Sequence, residues 1–104
     1  MKRETVYQAE LIKKLNRMFP GCFIIKNDPS QNQGVPDLLI LFGIQWAMLE
    51  VKRSGSAPSR PNQSYFVDMF NGMSFAAFIY PENEQEVLSA LQDVLGIKQE
   101  ALFR

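Results

Sequence analysis

Gly34-Val-Pro-Asp-Leu-Leu-Ile-Leu-Phe-Gly-Ile-Gln-Trp-Ala-Met-Leu-Glu-Val-Lys52 is the stretch that decides the fold. An apolar run from Asp37 to Phe42, a Gly43-Ile44 turn and a second run from Gln45 to Arg53 predict a β-hairpin. The near-continuous apolarity of Leu38–Phe42 predicts burial on both faces of the sheet, with helices covering each. Residues two apart on a strand point to the same side, so Glu50 and Lys52 act together. A solvated Glu/Lys pair is the plain alternative, and Asp37 after Pro36 could simply cap a turn. The apolar surroundings of Glu50, and its pairing with Asp37 on the neighbouring strand, favour a site. Carboxylates bind a hard cation such as Mg²⁺, and a lysine beside them can hold an attacking water. The chemistry that suits such a set is metal-assisted hydrolysis of a phosphodiester.

Working outward, residues 3–18 form an amphipathic helix, with Tyr7, Leu11, Leu15 and Met18 at helical spacing and Lys13, Lys14 and Arg17 opposite. Pro20-Gly21 stops it, and Cys22 to Lys26 is a short strand. Residues 27–36 are turn formers and make a loop, in which Asp28 is a turn residue. Ser54 to Pro61 is a second polar loop. Pro61 opens a helix to about residue 71, with Tyr65, Phe66, Met69 and Phe70 as its apolar face, and Gly72 ends it. Tyr65 and Phe66 read as core. Phe75 to Tyr80 is a strand. A last helix starts among Glu82, Glu84 and Glu86, buries Val87, Leu88, Leu91, Val94 and Leu95, and closes at Gly96. Ile97, Leu102 and Phe103 in the tail 97–104 could dock on the core or a partner. The order α-β-β-β-α-β-α is an α/β layer with a mixed sheet.

At 104 residues, residues 1–104 are expected to be a single domain with its core over about 3–95. The polar start Met-Lys-Arg-Glu is unlike a signal peptide, and no apolar run is long enough for a bilayer, so no membrane partner is expected. The one cysteine, Cys22, excludes an internal disulfide and reads as a core residue. The absence of histidine excludes His-based acid–base work, Ser-His-Asp and Cys-His systems and His-ligated zinc. Any metal site must therefore be built from oxygen. Net charge is zero, yet residues 1–60 carry nine Lys/Arg against five Asp/Glu, while 61–104 carry two against six. The basic half holds the site and offers a cationic face for a phosphate backbone. Lys26, Arg53 and Arg60 are its candidate phosphate contacts, with plain surface charge an equal reading.

Pro36-Asp37 and Glu50-Val51-Lys52, placed around a hairpin with helix and strand following, resemble the PD-(D/E)XK nuclease superfamily. Gly34 to Asp37, an acid on the first helix and Gln63 in the next helix are most similar to the small stand-alone VRR-NUC domains of phages and bacteria. The resemblance implies a restriction-endonuclease-like mixed β-sheet flanked by helices. It implies Asp37, Glu50 and the Val51 backbone carbonyl as ligands of Mg²⁺ or Mn²⁺, with Lys52 orienting the nucleophilic water. Gln63 would be a neighbouring phosphate-contacting or supporting group. The helical acid is Glu4 or Glu10; Glu4 lies by the face that packs on the sheet, whereas Glu10 aligns with Lys13, Lys14 and Arg17. The implied function is a structure-specific DNA endonuclease acting on branched DNA such as Holliday junctions. It would act as a homodimer in the cytoplasm of a bacterial or phage-infected cell, in recombination, replication or repair. A non-catalytic DNA-binding or assembly module of the same fold, and a sequence-specific or nicking endonuclease, are the competing readings.

Overall fold

The computed structural model describes residues 3–31 and 33–102, with backbone alone over 97–102. Its elements run α1 (Glu4–Met18), β1 (Phe23–Lys26), β2 (Leu38–Phe42), β3 (Gln45–Val51), α2 (Pro61–Met73), β4 (Ala76–Ile79) and α3 (Glu84–Leu102). The strands form one sheet in the order β1-β2-β3-β4. The first three make an antiparallel meander, and β4 joins β3 in parallel after the α2 crossover. This is the mixed α/β architecture expected from the sequence.

Alternation along the strands gives the sheet two different faces. On one, Leu38, Ile40, Ala47, Leu49, Val51 and Ile79 pack against α1 and α3. Tyr7, Leu11 and Leu15 are the buried stripe of α1, and Val87, Leu88, Leu91 and Leu95 that of α3. Two helices therefore cover a four-stranded face, and the main core lies there. On the other face, among the described residues, α2 stands alone. Met48, Val67 and Ala76 form a smaller core with Leu39, Trp46 and Phe70 packed around it.

That asymmetry corrects several expectations. Strand β2 is buried on one face only, since Leu41 is exposed on the other. Tyr65 is not core: it is 62% exposed, because α2 turns Gln63, Val67 and Phe70 to the sheet and leaves Tyr65 on its flank. Gly72 does not end α2, which runs to Met73 and stops at Ser74, whose N–H caps Phe70 O. Gly96 does not close α3 either. A helix tolerates one glycine at a cost of about 1 kcal/mol, and α3 continues to Leu102. The docking expected of Ile97, Leu102 and Phe103 lies outside the described side chains. Cys22 is only partly buried at the rim of the main core.

Candidate active site

Antiparallel register brings the chemistry together. Leu38 pairs with Leu49, so Asp37, one residue before β2, stands opposite Glu50 near the end of β3. Two cross-bonds lock them. The Asp37 N–H donates to Glu50 Oε1 at 3.2 Å, and the Val51 N–H donates to Asp37 Oδ2 at 2.9 Å. The N–H and C=O of one strand residue leave on the same edge, so the Val51 carbonyl lies on the Asp37 side. The Lys52 N–H leaves on the other, bonding Ile79 O at 2.9 Å.

Lys52 follows on the same sheet face, its Nζ 3.7 Å from Glu50 Oε2. It donates to Gln63 Oε1 at 2.9 Å and to the Pro58 carbonyl at 3.2 Å. Gln63 in turn gives its Nε2–H to Glu50 Oε2 at 2.9 Å, and its Oε1 also accepts the Arg60 N–H at 3.0 Å. Two donors at one end and a carboxylate at the other fix the orientation of this amide. Gln63 thus caps the first turn of α2 while clamping Lys52 to Glu50.

Electrostatics at the pair are strained. Burial, then the neighbouring Asp37 charge, push the Glu50 carboxyl up to about 7, against the pull of Lys52 and the Asp37 N–H. Asp37 is also raised by burial, opposed by the Val51 N–H, Lys52 and Lys26. Glu50 is 3% exposed and Lys52 9%, while Asp37 is half-buried. A buried pair of like charges with an incomplete counter-charge is where an added cation is stabilising. The donors are all oxygen, which suits a hard ion. Among the described residues no group of three or more carboxylates converges. A cation here would take two carboxylates, main-chain oxygen, water and substrate, and this is the pattern Mg²⁺ accepts.

The other sequence candidates divide. Lys26, opposite Leu38 in the register, is close enough for its charge to bear on Asp37. Glu4, exposed in the first turn of α1, bears weakly on Glu50. Glu10 instead lines a cleft of about 780 Å³ with Lys13, Lys14, Arg17 and Arg53. Arg53 is therefore turned to the α1 side of the sheet, away from the carboxylate pair. Arg60 contributes its main chain. Asp28 is a turn residue, its Oδ1 accepting the Ser30 N–H and hydroxyl at 2.9 and 2.7 Å.

Two contributors were not read from the sequence. Asn27 holds the Pro36-Asp37 segment from both sides, its Nδ2–H donating to Pro36 O at 2.6 Å and its N–H to Asp37 O at 2.8 Å. The signal was its place directly after Lys26, where the β1–β2 ladder extends. The Pro58 carbonyl holds Lys52 from a loop whose composition carries no sign of such a contact.

No protein-family model matches the chain, and no curated protein matches it in sequence. Its backbone is similar to that of Hjc, a Holliday junction resolvase from the archaeal hyperthermophile Archaeoglobus fulgidus, with a TM-score of 0.50 and 17% identity. The likeness covers 72% of this chain and spans 66% of the resolvase's length. At that identity it establishes the resolvase-like nuclease fold.

Proposed function

We propose that this chain is a divalent-metal-dependent, structure-specific DNA endonuclease that hydrolyses phosphodiester bonds in branched DNA such as Holliday junctions. The reading has it act as a cytoplasmic homodimer. The observation that carries it is the locked set Asp37–Glu50–Lys52–Gln63: buried like charges cost stability, and nothing in the packing requires them there. The similarity to a junction resolvase supports the substrate class.

In this mechanism Asp37, Glu50 and the Val51 carbonyl would hold Mg²⁺ or Mn²⁺, with Glu4 a further candidate ligand. The ion supplies Lewis acidity and a water of lowered pKa when bound. The Lys52 ammonium positions the attacking water and balances charge growing on the phosphate oxygens. Gln63 fixes the ammonium, so that its direction is set before substrate arrives. Apolar neighbours keep bulk water out and strengthen each of these contacts. Lys26, beside Asp37, favours a phosphate backbone over that edge of the sheet.

Glu50 and Lys52 are almost wholly enclosed, and this favours a second reading, a DNA-binding module that keeps the fold without cutting. One experiment separates the two. A labelled four-way junction is incubated with the protein and Mn²⁺, then with Glu50→Ala and Lys52→Ala. Cleavage lost in both variants while junction binding survives supports the nuclease. Binding without cleavage in any divalent metal supports the module.

A further inference from the structure

Beside the carboxylates stands one peptide group gripped at both ends. The Pro36 carbonyl accepts the Asn27 Nδ2–H at 2.6 Å, and the Asp37 N–H of the same peptide donates to Glu50 Oε1 at 3.2 Å. A peptide is planar, so its carbonyl and its N–H turn together. The Pro36 ring fixes its own φ, and Pro36 is fully buried. The freedom that remains is a swing of this plane, and whatever holds the carbonyl also aims the N–H.

Asn27 stands where such a hold is firm. Pairing of Lys26 with Leu38 puts the next residue, Asn27, opposite Asp37, and the Asn27 N–H donates to Asp37 O at 2.8 Å. That main-chain bond anchors the backbone, so the short side chain works from a fixed base. Opposed residues share a sheet face with their Cβ atoms about 5 Å apart, which brings the amide alongside Asp37. Only a donor satisfies a carbonyl, so the orientation of the amide follows. On β1 the same face carries Phe23 and Ile25, both apolar and exposed. The change to a polar residue falls where the carboxylate pair begins.

We infer that Asn27 is a positioning residue: through the Pro36–Asp37 peptide it aims the N–H that holds Glu50, and so keeps Glu50 and Asp37 set for one cation. The inference rests on the cation site of the proposed function. Without the amide, a buried carbonyl loses its donor and the peptide plane is released. Asp37 keeps the Val51 N–H, and Glu50 keeps the Gln63 amide on Oε2. The loss therefore falls on the direction of Glu50 Oε1.

Mn²⁺ binding to the full chain without DNA, followed by the electron paramagnetic resonance of the free ion, tests it. Asn27→Leu keeps the branched shape and deletes the donor. It should raise the dissociation constant about 10–100-fold, the usual effect of losing a group that orients a metal ligand. Asn27→Ala, smaller and also without a donor, gives the same reading where leucine does not fold. Asn83→Leu is the matched control, since Asn83 likewise gives its Nδ2–H to a main-chain carbonyl, Phe78 O at 3.0 Å, just ahead of α3. It should lower the thermal midpoint by at least as much and leave Mn²⁺ affinity unchanged. In metal-free protein the Asp37 amide proton should move upfield in the Asn27 variants alone, as its bond to Glu50 lengthens. Folded Asn27 variants that bind Mn²⁺ as wild type does, or that leave the Asp37 resonance in place, would overturn the inference while the cation site stands. So would an equal loss of affinity in Asn83→Leu. Wild type that binds no Mn²⁺ would defeat the cation site itself, and the positioning role with it.

Discussion

Replacing Glu50 by glutamine should make the metal-free protein more stable at neutral pH while abolishing the cleavage proposed for it. The folded-state carboxyl titrates near 7 instead of its ordinary 4.5, so the folded form holds the proton more tightly than the unfolded one. The associated stability is full below about pH 4.5 and is lost as pH rises through 7. At about 1.4 kcal/mol per tenfold change in affinity, ionising this group in the fold costs about 3 kcal/mol. A neutral carboxyl and an amide have nearly the same shape and no charge, and each keeps one carbonyl oxygen to accept from the Asp37 N–H or the Gln63 Nε2–H. The two proteins should therefore be equally stable at pH 4.5, with Glu50→Gln ahead by about 3 kcal/mol at pH 8. Asp37 adds in the same direction, because loss of the Glu50 charge relaxes it. In a domain of this size each kcal/mol moves the thermal midpoint by about 4–8 °C. Urea unfolding in EDTA across pH 4.5–8.5 reads the difference directly. Saturating Mg²⁺ should then raise wild type alone, by about 2.7 kcal/mol at a hundred times its dissociation constant. A gap that does not vary with pH, or that favours wild type at pH 8, would refute the account of a strained carboxylate pair.

Lys52→Met removes the charge that holds Glu50 down. Glu50 should titrate above 7, seen as a later loss of stability with rising pH, and junction cleavage should fall about 10²–10³-fold. Gly34→Ala should destabilise by about 2–4 kcal/mol in urea. Gly34 sits at φ +92°, and an added Cβ would come within 2.5 Å of Asn62 Nδ2. Asn62→Ala should recover the collision and leave the backbone strain. Tyr7→Phe deletes the hydroxyl that donates to Glu84 Oε1 at 2.8 Å, while Lys14 still pairs with that carboxylate. About 1 kcal/mol should be lost in chemical denaturation, with junction cleavage unchanged.

The hairpin was legible because two apolar runs flanked a Gly43 turn, and pairing them in register puts Asp37 opposite Glu50 without further information. The order of elements followed from periods of two and 3.6 and from the Pro61 helix start. Less readable was which apolar residues are covered. Tyr65 and Leu41 have core composition, but their burial depends on how many helices one sheet face receives, and a single chain's periodicity does not count its neighbours. Gly72 and Gly96 carry the composition of a stop, yet sit inside helices that continue past them. Gln63 was expected near the site by resemblance. Its bonds to Arg60, Lys52 and Glu50 depend on where the loop between β3 and α2 delivers the helix, as does the Pro58 carbonyl. The sequence contains both partners of each bond but not their meeting.

The Leu38–Leu49 pairing has a further consequence. Sliding β2 against β3 by one residue would carry Glu50 onto the side occupied by Leu11, Leu15 and Leu91, where an ionised oxygen finds no donor. A slipped register is thereby made costly by the apolar packing on the far side of the sheet. The alignment of Asp37 with Glu50 is in this sense proofread by residues on the opposite face of the sheet.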